Sequence, residues 1–168
     1  MKQILYFTLF IFFISVVSCG VDEECRKDKT VQLEVGFHKK TLNTTTNLYT
    51  NVALSVDSLT VQGLDTLGIL KDSVLYKNQK KLSKISLPLN KFASESRFVI
   101  KFNDKTDTIT ISHTNTNEFL SLECGCLKVH TIDTVLTTGH YIDSVKIVNH
   151  SVKNNNNNAE HLQLYKNK

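Results

Sequence analysis

The chain has no tryptophan, one proline and six glycines among its 168 residues. Little interrupts the backbone, so collagen-like and Pro/Gly-rich disordered architectures are excluded. The missing indole also removes the strongest stacking surface for sugars, and a glycan-binding role gains no support from the composition. Arginine is scarce, Arg26 and Arg97 only, and the net charge of +4 is spread without a basic block. Nucleic-acid binding, which needs clustered phosphate-neutralising cations, is not expected. No Gly-x-Ser-x-Gly elbow, phosphate-cradling glycine loop or His-Glu-x-x-His helix occurs. The six histidines, His38, His113, His130, His140, His150 and His161, show no ligand spacing. The sequence therefore predicts neither an enzyme nor a cofactor or metal requirement.

What is present begins with an apolar run over residues 4–17 after one basic residue, Lys2, ending in Val16-Val17-Ser18-Cys19. A basic start, a short apolar run and a small residue before the cut describe a secretory signal, too short for a spanning helix. The four residues resemble a bacterial lipobox, in which a peptidase cuts before the cysteine and the thiol is diacylated. That resemblance implies a signal peptide over 1–18, lipidation at Cys19, a tether over 19–24 and a domain over 25–168. The lipid bilayer becomes a partner through acylated Cys19, because two or more acyl chains hold a protein on a membrane stably. The expected location is the outer membrane. Asp22-Glu23-Glu24 looks similar to export signals of surface lipoproteins, and both the periplasmic face and the cell surface stay open.

From Cys25 onward the dominant signal is period-two alternation of β-branched and apolar residues, which marks half-buried strands. Val31, Leu33, Val35 and Phe37 alternate with polar neighbours, and Val52, Leu54 and Val56 repeat the pattern. Ile85, Leu87 and Leu89 form a third run, restricted to an edge or strand end by Pro88. Phe98, Ile100 and Phe102 lead through Asn103-Asp104-Lys105 into Ile109 and Ile111, a hairpin pattern. Leu120 and Leu122, Leu127 and Val129, Val145 and Ile147, and Leu162 and Leu164 supply further strands. Residues 41–47 read as a loop and the asparagine run 154–158 as a long hairpin tip. No helical apolar stripe persists over three turns. The expected fold is all-β: a single antiparallel β-sandwich, immunoglobulin-like, with a closed barrel as the alternative.

Cys25, Cys124 and Cys126 remain once Cys19 is acylated. In an oxidising compartment two of them pair, and the favoured bridge joins Cys25 to Cys124. Closing a loop of roughly 100 residues contributes up to about 4.7 kcal/mol in the chain-entropy model. The alternative is a zinc site of Cys25, Cys124, Cys126 and His130, against which the one-residue cysteine spacing argues.

Six of the nine aspartates precede Ser or Thr and then an aliphatic residue, placing Ser58, Thr66, Ser73, Thr108, Thr134 and Ser144 in a repeated tripeptide. Its structural cause is that Asp favours turns while the following residues favour strands. The same tripeptide resembles the Asp-[Ser/Thr]-aliphatic acceptor of Bacteroidota O-glycosylation, which makes the six hydroxyls candidate glycosylation sites.

The order of Cys19, Cys25, Leu87-Pro88-Leu89-Asn90, Asp107-Thr108, Glu123-Cys124-Gly125, residues 149–152 and His161-Leu162-Gln163-Leu164-Tyr165 resembles a Bacteroidota family of short lipoproteins of unknown function. Cys126 departs from the pattern, which supports Cys25 with Cys124 and leaves Cys126 as an extra thiol. The resemblance implies no catalytic residues. The resulting expectation is a membrane-anchored envelope lipoprotein acting as a binding or structural module on an unknown envelope protein partner. An envelope enzyme of unrecognised type and a fimbrial or adhesin component are the rivals.

Overall fold

The computed structural model describes residues 30–65, 67–122, 124–154 and 159–166. Residues 1–18, Cys19, Cys25 and Thr66 lie outside the described residues, as do 155–158 of the expected asparagine-rich tip. Eleven strands and no helix are found among the described residues.

Sheet one is built from β1 (Leu33–Asn43), β2 (Leu48–Ala53), β5 (Lys84–Leu87), β9 (Ile142–Ile147) and β11 (Leu162–Lys166). Strand β1 is central: it pairs in parallel with β11 on one side, and with β5 and then β2 on the other. Sheet two contains β3 (Leu59–Leu64), β4 (Leu70–Gln79), β6 (Glu95–Phe102), β7 (Lys105–Ser121), β8 (Gly125–Thr137) and β10 (Ser151–Val152). Its order is β10-β8-β7-β6-β3-β4. The expectation of a single antiparallel β-sandwich holds at the level of two packed, antiparallel-rich sheets, with the β1–β11 pair parallel. Five and six strands replace the four and three of a constant-type immunoglobulin domain.

Alternation dictates the core. Leu33, Val35, Phe37, Ile85, Leu87, Leu162 and Leu164 of sheet one face Leu59, Val61, Phe98, Ile100, Phe102, Ile109 and Ile111 of sheet two. Phe102 meets Phe37 edge-on at 5.5 Å and stacks on Tyr141 at 4.4 Å, so three rings span the two layers. Strand β5 stops at Leu87, one residue before Pro88, whose ring lacks the donor a further pair would need. The Tyr76 hydroxyl closes the outer edge of β5, accepting from Ser86 N at 2.9 Å and donating to Ser86 O at 3.2 Å.

Several elements differ from the sequence expectation: residues 41–43 of the expected loop continue β1, and β2, where the alternation beginning at Val52 predicts half-burial, is exposed throughout. The run at 109–111 and Leu120 belong to one 17-residue strand, β7, which outruns its neighbour β6 and ends one residue before Leu122. Strand β4 carries no alternation of burial, because it is the outermost strand of sheet two and nearly all of it faces solvent.

Candidate functional site

Where sheet one stops covering sheet two, the chain crosses between layers through residues 88–94. This crossing walls a pocket of about 360 Å³ against β3, β4 and β6. Its apolar lining includes Leu75, Leu89, Phe92 and Phe98; Lys71, Lys91 and Arg97 supply cationic groups. Gly63 lies in the lining, and a Cβ there would press on the Lys71 stem at 3.3 Å. Arg97 is paired with Glu95.

The wall is fixed by a buried polar network. Asn115 donates from Nδ2 to Asn90 O at 3.1 Å and to Ala93 O at 2.8 Å. Its Oδ1 therefore faces His113 Nδ1 at 2.9 Å and His130 Nδ1 at 2.6 Å, and both rings carry their proton there. His113 Nε2 is left to accept from Ser96 Oγ at 2.9 Å, while Ser96 Oγ accepts from Asn90 N at 2.8 Å. His130 Nε2 is buried with no partner among the described residues. Burial, then the repulsion that a protonated His113 would exert together with Lys91 and Lys128, pushes His130 down to about 4. Burial likewise lowers His113, outweighing the opposing effects of Asn115 and Asp133.

Chemically, Ser96, His113 and Asn115 follow the hydroxyl, imidazole, amide order of an acyl-transfer relay, and Ser96 lines the pocket. Every member is also committed to holding the wall: Ser96 through the Asn90 amide, Asn115 through two carbonyls. Sequence reasoning named the histidines as scattered, met Asn90 only as the end of the Leu87-Pro88-Leu89-Asn90 motif, and missed Ser96 and Asn115. A signal existed, because Ile109, Ile111, His113 and Asn115 continue one inward row that turns from apolar to polar.

A second buried site lies at the opposite end. Asp107, fully enclosed on β7, accepts from Thr138 Oγ1 at 2.7 Å and from the amides of His140, Tyr141 and Ile142 at 2.6, 2.7 and 2.8 Å. Burial alone would raise its pKa, but these donors outweigh it and hold the carboxyl below the usual range. Asp107 thus fastens the connection from β8 in sheet two to β9 in sheet one.

Among the six tripeptide hydroxyls, Ser73 and Thr134 are exposed, and Ser58, Thr108 and Ser144 are half-buried. Asp65 acts as a turn residue, taking the amides of Leu67 and Ile69 at 2.9 and 2.7 Å. Cys126 is an exposed free thiol.

These features define a class: a two-sheet β domain with a loop-walled pocket beside a buried Ser-His-Asn-His network. Within it, the chain belongs to the family of unknown function DUF6452, whose profile matches residues 58–166, strands β3 to β11 apart from the first residue. No curated protein and no solved structure matches it.

Proposed function

We propose that the protein is a lipid-anchored envelope lipoprotein of the outer membrane, with 1–18 removed and Cys19 acylated, whose sandwich is a non-catalytic binding or structural module. The observation that carries the export half is the apolar run over 4–17 that ends in Val16-Val17-Ser18-Cys19, and an oxidised Cys124 would fit the same compartment. Cys126 is free, so the proposed partner is Cys25, six residues beyond the acylated sulfur. The pocket beside Phe92 supports the binding half, being concave and mostly apolar with a few polar groups. The unknown envelope partner docks there or along the β4 edge, where backbone groups accept a strand. Of the candidate glycosylation sites, Ser73 and Thr134 are the most accessible, and the intact mass of native protein would register added sugar.

Labelling with clickable palmitate is expected to mark the wild type and spare Cys19→Ala; equal labelling of both overturns the anchor. Nonreducing mass mapping is expected to join the peptides of Cys25 and Cys124, and a free thiol on Cys25 refutes the pairing. A second reading, a serine hydrolase of the envelope, is favoured by the Ser96 to His113 hydrogen bond at 2.9 Å beside the pocket. A fluorophosphonate probe decides it, since labelling that Ser96→Ala abolishes would replace the non-catalytic reading.

A further inference from the structure

Strand β7 pairs with the start of β6 at Ser112 and Glu95, then runs on alone with β8 to Ser121. At ~3.4 Å per residue the β7–β8 hairpin runs about 30 Å past the end of β6, its base held against residues 90–93 by Asn115 and its outer part reaching beyond them. Its tip carries Phe119, Leu120 and Leu122, the last 95% exposed. A hairpin that projects into water gains nothing from three large apolar side chains at its end. Such a patch marks an interaction surface.

The position of the chain entry says what covers it. Leu33 pairs with Leu87, and residues 88–94 lead from there to Glu95, so the N-terminal segment enters at the end of the sandwich from which the hairpin projects. Phe92, 97% exposed, and the turn residues Leu67 and Ile69 are apolar groups at that same end. Resting on the anchored reading above, a Cys25–Cys124 bridge leaves five residues, six Cα steps, between the tip and the acylated Cys19, a reach of at most about 22 Å. The apolar surface within that reach is the bilayer that the acyl chains enter. The acidic residue Glu118 beside the tip is neutralised by Lys153 at 3.0 Å, which removes one repulsion from anionic headgroups.

We propose that the β7–β8 tip is a second membrane contact, in which Phe119, Leu120 and Leu122 seat in the bilayer interface and orient the sandwich on its anchor. The opposite end, with the β1–β2 turn at Thr45, then faces away from the membrane. Cys126, directly across from Phe119, supplies a native reporter thiol.

The test attaches an environment-sensitive fluorophore to Cys126 of the full acylated protein, reconstituted in phosphatidylethanolamine/phosphatidylglycerol vesicles containing brominated lipid. A parallel sample carries the label on Thr45→Cys in a Cys126→Ser background. The expected result is blue-shifted, bromolipid-quenched emission at Cys126 and aqueous emission at Thr45. Phe119→Ser with Leu122→Ser alters only exposed side chains and is expected to return the Cys126 signal to the Thr45 level while vesicle flotation is retained. Aqueous emission from Cys126 in protein that floats with the vesicles overturns the second contact and leaves the anchor standing. Protein that does not float overturns the anchored reading, and this inference with it.

Discussion

The neutral state of His130 makes the pocket wall acid-labile, and the size of the effect follows from its surroundings. The ring is 1% exposed, and burial together with His113, Lys91 and Lys128 holds its folded pKa at about 4. In the unfolded chain the value returns to roughly 6.5. Below 6.5 the unfolded state therefore binds a proton that the folded state refuses until about pH 4, and stability falls as pH falls through that window. The loss from this group is about 2 kcal/mol at pH 5 and about 3 kcal/mol once both states are protonated. His113 and His161, lowered chiefly by burial, act in the same direction. Urea denaturation at pH 8 and pH 5 measures the difference, and 2 kcal/mol moves the midpoint by about 1 M at a typical slope. His130→Gln keeps a donor for Asn115 without a titrating ring, so its stability should depend less on pH by about the same 2 kcal/mol. A His130 pKa near 6.5 in the folded protein by NMR, or identical pH dependence in wild type and variant, would refute the reasoning.

Three further outcomes rest on packing and charge. Asp107→Asn turns amide hydrogens toward groups that are all donors and should cost about 3 kcal/mol or more in thermal or urea unfolding, while exposed Asp133→Asn stays within about 0.5 kcal/mol. Phe102→Ala removes the ring shared by Phe37 and Tyr141 and is expected to cost about 3–5 kcal/mol by the same assay. Gly36→Ala puts a methyl onto the Glu160 carboxylate, displacing it from His38 and Gln163. That loss should be non-additive with Glu160→Ala in a double-mutant cycle, and additivity would show that the clash is relieved elsewhere.

Much of the layer arrangement was legible because inward rows such as Phe98, Ile100 and Phe102 keep strict period two. Asp107 was legible in principle: it shares the inward face of Ile109, two residues on, yet its place in a repeated tripeptide drew the reading toward turns. That reading holds at Asp65 and fails at Asp107, where the following residues continue the strand and bury the carboxylate. Strand β4 was invisible because an exposed edge strand needs no apolar alternation. Ser96, His113, Asn115 and His130 come from β6, β7 and β8, and their meeting depends on cross-strand register. Register is set by long-range burial, which no local pattern encodes.

The two buried polar sites hold loops at opposite ends of the sandwich by opposite electrostatic means, and this makes their acid responses separable. At the far end Asp107 is an ionised carboxylate held below its usual range by four donors, so its stabilisation is complete above about pH 4 and fades only as pH falls through its lowered folded value. Beside the pocket the histidines must stay neutral, because Asn115 presents one oxygen to two rings and a protonated His113 could no longer accept from Ser96. Acidification from pH 8 to pH 5 therefore loads only the pocket end. Hydrogen-exchange protection at residues 90–96 and 113–115 should fall across that range while the amides of Tyr141 and Ile142 keep theirs. Equal loss at both ends would mean that the sandwich opens as one unit and that the network does not govern the wall locally.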